Sequence, residues 1–132
     1  MKKINLAIQK SGRLNKESIS LLEKAGIKFD NFKDQLKVDC QNFPLNIYFL
    51  RNSDIPRYLS DGVVDIAIIG QNLIQESELN IDEIMNLNFS RCRVSIAIPL
   101  NMKYSGLKDL NNLKIATSYP NTLKKFLSNN NL

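Results

Sequence analysis

The chain has 132 residues, 43% hydrophobic and 23% charged, proportions that exclude wholesale disorder and allow one domain, or one and a piece. A net charge of +5 favours anionic partners, but no basic run interleaved with aromatics occurs, which points to small anions and against nucleic acid. Histidine is absent, and Cys40 and Cys92 lack metal-ligand spacing, so no metal cluster is expected and the two cysteines read as reduced, buried thiols.

Taken from the start, Met1-Lys2-Lys3 resembles a signal-peptide opening, but the apolar stretch behind it ends at Ile8, short of the roughly 7 to 15 residues an export signal needs. With no membrane span in the sequence either, the cytoplasm is the expected compartment. Ile4 to Ile8 is a strand candidate, followed by the turn Gln9 to Arg13. A helix should follow, with Asn15 as its N-cap, Leu14 and Ile19 as a hydrophobic staple, and Gly26 as its stop. Its buried stripe is Ile19, Leu22 and Ala25. Leu36 to Cys40 and Leu45 to Leu50 read as a hairpin joined by Gln41-Asn42-Phe43-Pro44. Ser53 is placed to cap a second helix with Pro56 in its first turn and Gly62 at its end.

Asp61 to Gly70 is nearly continuous in apolar residues and bounded by glycines. It reads as a strand buried on both faces, the spine of a parallel sheet. A short helix around Asn72 to Glu76 is expected next, then edge-strand alternation in Ile84 to Phe89 and a strand at Arg93 to Ile98 ending at Pro99. From there the organisation restarts. Lys114 to Thr117 reads as a strand, and a helix after Tyr119 carries Leu123, Phe126 and Leu127 on its apolar face. The expected division is therefore 1–98 and 99–132, with the second part holding a single strand-turn-helix unit that cannot cover its own sheet.

Chemistry is expected at the carboxyl ends of the strands, where ligands gather in open α/β sheets. Lys10-Ser11-Gly12-Arg13 joins two cations, a hydroxyl and a glycine at a helix start, where the dipole adds about 0.3 to 1 kcal/mol toward an anion. A phosphate is the natural guest, against the alternative of an ordinary solvated turn. Arg51 and Asp54 would open on the same edge if the strands are parallel; their plainer reading is a surface ion pair. Gly70 and Asn72 mark the third junction, where Asn72 either reads a base edge or ribose or caps the helix. No nucleophile and base pair, metal cluster or Walker-type loop can be assembled. What remains is chemistry by positioning and charge stabilisation.

Several blocks together carry a family resemblance: Ala7 to Leu14, Asp54-Ile55-Pro56 with Asp61 to Asp65 and Ile68-Ile69-Gly70, Cys92-Arg93, and Ile115 to Pro120. Their order and spacing resemble the amino-terminal part of ATP phosphoribosyltransferase of the long, histidine-regulated form. The resemblance implies an α/β catalytic unit of two lobes, akin to type II periplasmic binding proteins, with the first lobe largely present and the second truncated. It further implies ATP or AMP and phosphoribosyl pyrophosphate as substrates or ligands, Mg2+ arriving with substrate, a homo-oligomeric full-length enzyme, and no catalytic protein nucleophile. Lys10, Ser11, Gly12 and Arg13 match the family's basic turn and imply contacts to nucleotide phosphates. Arg51, Asp54, Gly70 and Asn72 would line the same cleft edge, and Thr117 and Tyr119 would face it from the second lobe.

The family's phosphoribosyl-binding turn is not among these 132 residues, so the chain reads as a fragment or a decayed product and is expected to be inactive alone. Two other readings compete. One is a lobe of a two-lobed solute-binding protein, which an export signal would favour. The other is a small basic interaction module without catalysis.

Overall fold

The computed structural model describes residues 2–132, which divide into two compact units, Met1–Arg91 and Cys92–Leu132. The first unit is built on a four-stranded sheet. Its strands are β1 (Ile4–Gln9), β2 (Lys37–Asp39), β3 (Leu45–Leu50) and β4 (Ile66–Ala67), in the spatial order β2-β3-β1-β4. Both β3 and β4 pair parallel with β1, in registers that set Gln9 against Leu50 and Ala7 against Ala67; β2 folds back antiparallel on β3. The expected hairpin is therefore present. The helices α1 (Gly12–Lys24), α2 (Ile55–Ser60) and α3 (Gln71–Ser77) connect and follow the parallel strands.

Alternation along β1 assigns the two faces of the sheet. Leu6 and Ile8 point to one side, where they join Ile47, Phe49 and Leu22 of α1, while Ala7 points to the other, against Ile55 of α2 and Val64. The connection through α1 thus covers one face and the connection through α2 the other, the doubly wound arrangement of parallel α/β sheets. Each fully buried isoleucine of this core contributes roughly 1.5 to 3 kcal/mol of transfer free energy.

Helix α1 starts earlier than its sequence suggests. Ser11, with φ −156° and ψ 172°, occupies the N-cap position, and Asn15 lies within the first turn of the helix. The reason is Gly12, whose φ of +86° lets the chain turn sharply out of β1. Released from capping, Asn15 donates its amide to the Gln9 carbonyl at 2.7 Å and ties the helix back to the strand it left. The other end follows expectation: Gly26, at φ +79°, donates to the Glu23 carbonyl and Ile27 to that of Leu22, a Schellman stop with Ile27 packed on the core. In place of a Ser53-capped helix, a 3-10 turn over Asn52–Asp54 precedes α2, with Pro56 in its first turn as expected.

The spine of the sheet is β1, which has a parallel neighbour on each side, and not the apolar run at 61–70. Only Ile66–Ala67 of that run forms a strand, and it pairs with β1 alone. As an edge element it is half covered: Val64 and Ile68 are buried, whereas Val63 and Ile66 are exposed. Asp65 anchors its start, the carboxylate accepting the Asn5 N–H at 2.8 Å while its own N–H donates to the Asn5 carbonyl.

Three expected strands do not form. Ile84 to Phe89 has no strand structure, although Leu87 and Phe89 still pack on the core of the first unit while Ile84 and Met85 stay exposed. Alternation registered a covered face there, but a strand also needs a neighbour to complete its ladder. Arg93 to Ile98 and Lys114 to Thr117, in the second unit, likewise pair with nothing among the described residues. That unit holds a 3-10 turn at Leu107–Leu110, with Leu110 buried, and the expected terminal helix, α4 (Pro120–Asn129). Cys92 also departs from expectation: it is exposed, while Cys40 is buried beneath the sheet, and both are free thiols.

Candidate phosphate-binding edge

Because β1, β3 and β4 run parallel, their three following turns open at one edge of the sheet. Lys10 to Arg13 leaves β1, Arg51 to Asp54 leaves β3, and Gly70 to Asn72 follows β4. A direct backbone bond from the Lys10 N–H to the Leu50 carbonyl, 2.8 Å, holds the first two turns side by side. The order β3-β1-β4 reverses direction at β1, so the crevice between the first and third turns is the topological switch point, where such sheets receive ligands.

At the first turn, α1 offers its N-terminus without a competing anion. The Ser11 side chain makes no capping bond and no acidic residue occupies the first turn. Its first N–H groups have no partner within the helix and point out of its end, where an anionic ligand gains from both hydrogen bonds and dipole. Lys10, Ser11, Gly12 and Arg13 are all exposed. Among the described residues Lys10 enters no ion pair, while Arg13 sits 3.7 Å from Glu17 across one helical turn.

At the second turn, Arg51 and Asp54 are exposed and do not form the surface ion pair that was the plainer reading; the Asp54 N–H instead donates to the Arg51 carbonyl at 3.0 Å. At the third, Gly70 precedes α3, and Asn72 folds back over it so closely that a β-carbon on residue 70 would collide with Oδ1 of Asn72. The near atom is the end of a flexible amide, and Gly70 itself has an extended backbone, so a larger residue here would displace the Asn72 side chain from this position. The three turns themselves present Lys10, Arg13 and Arg51 with the carboxylate of Asp54, while Glu17 stands beside Arg13 and Glu83 accepts the side-chain amide of Gln71 at 3.0 Å.

One part of the surroundings was not visible in the sequence. Residues 31–36, expected only as a connection, curl beside the first turn and enclose a hollow of about 540 Å³ with Lys10, Ser11 and Asn15, its apolar wall being Phe32, Leu36 and Phe49. No periodicity marks this segment, and only its exposed Phe32 and Leu36 hint at it. Thr117 and Tyr119 belong to the second unit, where the Thr117 hydroxyl accepts the Tyr119 N–H at 2.9 Å and opens α4. Among the described residues no three His, Cys, Asp or Glu side chains gather into a metal-holding group, and no helix is long and apolar enough to cross a membrane.

Comparison with known proteins gives one consistent result. The family model HisG, described as ATP phosphoribosyltransferase, matches residues 51–132, a range that includes the second and third turns and leaves the first outside. An ATP phosphoribosyltransferase of Cytophaga hutchinsonii is 48% identical over 129 residues, 98% of this chain and 45% of that protein. One from Bacteroides thetaiotaomicron is 42% identical over 127 residues, covering 96% and 45%. Both of these alignments extend across nearly all of this chain, which spans a little under half the length of either relative. Among solved structures, the ATP phosphoribosyl transferase (HisG:HisZ) complex from Thermotoga maritima has the same fold, with a TM-score of 0.65 at 22% identity over 96% of this chain and 59% of that one.

Proposed function

Because the chain belongs to the ATP phosphoribosyltransferase family, we propose that it carries the nucleotide side of the enzyme that joins ATP to phosphoribosyl pyrophosphate in the first step of histidine biosynthesis. What supports this most is the convergence of three strand-to-helix turns, with Lys10, Arg13 and Arg51, on one edge of a parallel sheet. In the reaction, N1 of ATP displaces pyrophosphate from C1 of the sugar with inversion, a displacement that needs orientation and charge compensation more than a protein nucleophile.

In this reading the α1 N-terminus with Lys10, Ser11, Gly12 and Arg13 holds nucleotide phosphates. Arg51, Asp54, Gly70 and Asn72 line the same edge, with Gly70 and Asn72 setting its far wall. The two units, Met1–Arg91 and Cys92–Leu132, correspond to parts of the two lobes of a periplasmic-binding-protein-like catalytic unit, with Thr117 and Tyr119 as the second lobe's ligand-facing residues. Mg2+ would enter with substrate and would neutralise charge on the pyrophosphate leaving group. The whole enzyme is proposed to be cytoplasmic, homo-oligomeric and regulated by histidine.

The test is a calorimetric titration of the chain with AMP. Loss of one charged hydrogen bond to phosphate on Arg13→Ala should weaken binding by about 1.5 to 3 kcal/mol, roughly ten- to hundredfold. Unchanged affinity would remove the first turn from the site.

A further inference from the structure

We propose that Glu17 is a positioning residue for Arg13, a role that rests on the reading of the Lys10 to Arg13 turn as the phosphate site. Three observations meet at its carboxylate. Oε2 of Glu17 lies 3.7 Å from Nε of Arg13, and the same oxygen accepts the hydroxyl of Ser90. The third is the backbone that brings Ser90 there: Asn88 and Ser90 hold φ of +58° and +48°, in the left-handed region that asparagine enters readily but that strains serine. Leu87 and Phe89 alternate with them and pack on the core, so the segment is anchored and its hydroxyl is delivered to the helix.

An exposed ion pair at i,i+4 spacing orders little by itself. Here the same carboxylate oxygen is also held by Ser90, and the Glu17 side chain is only about one-third exposed, whereas that of Arg13 is 70% exposed. Glu17 therefore acts as the fixed partner and Arg13 as the guided one. Engagement through Nε leaves both terminal Nη groups of the guanidinium free to present their fork to an anion. Glu17 itself sits one turn deeper along α1, roughly 5.4 Å further from the helix end, so its own charge opposes a phosphate there more weakly than the oriented arginine attracts it. A side chain already held loses less freedom on binding, an advantage of roughly two- to tenfold in affinity.

The experiment is a double-mutant cycle on the 132-residue chain, with AMP as the titrant. Glu17→Gln keeps the shape and the acceptor for Ser90 but removes the charge that guides Arg13, and thermal melting by circular dichroism checks that the fold is retained. AMP affinity should fall two- to tenfold in Glu17→Gln and show no further change when Arg13 is already alanine. Ser90→Ala should weaken binding in the same direction, again only while Arg13 is present. Equal losses with and without Arg13 would mark a general effect on the helix and overturn the proposal, as would unchanged or tighter binding in Glu17→Gln. If Arg13→Ala weakens AMP binding but Glu17→Gln does not, the role of Glu17 alone is lost. If the chain does not bind AMP, or Arg13→Ala has no effect, the reading of the turn falls and this inference with it.

Discussion

Replacing Gly12 by alanine isolates the turn on which the candidate site depends. At φ +86° an L-residue must hold a left-handed backbone, which costs about 1 to 2 kcal/mol. Sterics add nothing further, because an ideal β-carbon at this position meets only Nε2 of Gln9 at 3.5 Å, an ordinary contact. The turn also cannot relax cheaply: the Asn15 amide holds the Gln9 carbonyl and the Lys10 N–H holds Leu50, so the chain on either side is fixed. For a unit the size of Met1–Arg91, each kcal/mol lowers the melting temperature by about 4 to 8 °C, giving an expected drop of about 4 to 16 °C for Gly12→Ala. The assay is a thermal melt followed by circular dichroism at 222 nm. A melting temperature unchanged within about 1 °C would refute the reasoning, since it would mean that the turn accepts a negative φ without strain.

Ile47→Ala, at a fully buried position paired with Leu6 of β1 and Val38 of β2, should cost about 2 to 5 kcal/mol in urea unfolding; a loss under about 1 kcal/mol would contradict the assigned core. Maleimide should modify Cys92 in the native protein and Cys40 only after denaturation, because burial first, and then the neighbouring Asp39 carboxylate, raises the Cys40 thiol pKa; equal native rates would contradict this. Asp109 accepts the Ser105 N–H at 2.7 Å, the Ser105 hydroxyl at 2.9 Å and the Gly106 N–H at 3.3 Å, and these bonds, the Ser105 backbone first, hold its carboxyl below the usual aspartate range. A lowered folded-state value stabilises the turn at every pH above the unfolded one, about 4, and the benefit is lost as pH falls through the folded value. Amide shifts of Ser105 and Gly106 should therefore titrate below pH 4 and become pH-independent in Asp109→Asn; a midpoint at or above 4 would contradict the assignment.

The sequence by itself determined whatever is written in short-range chemistry. Gly26 stops α1, Pro56 opens α2, Pro44 and its neighbours separate β2 from β3, and the stripe Leu123, Phe126 and Leu127 marks α4, because turn dihedrals and helical periodicity are properties of adjacent residues. Lys10 to Arg13 could be singled out for the same reason, since a strand, a glycine and two cations stand next to one another. Pairing is another matter. The apolar run at 61–70 looks like a central strand, yet whether a strand is central depends on which neighbours it has, and the tertiary structure makes β1 the spine and leaves Ile66 on an edge. Leu87 and Phe89 signalled a covered face, which they have, but alternation cannot tell a ladder from a loop lying on a core. Only the parallel registers of β1 with β3 and β4 bring Lys10, Arg51 and Asn72 to one edge, and only the folded chain sets Ser90 on Glu17, 73 residues away. Such contacts join positions whose separation along the chain carries no local signature, so they are decided when the sheet assembles.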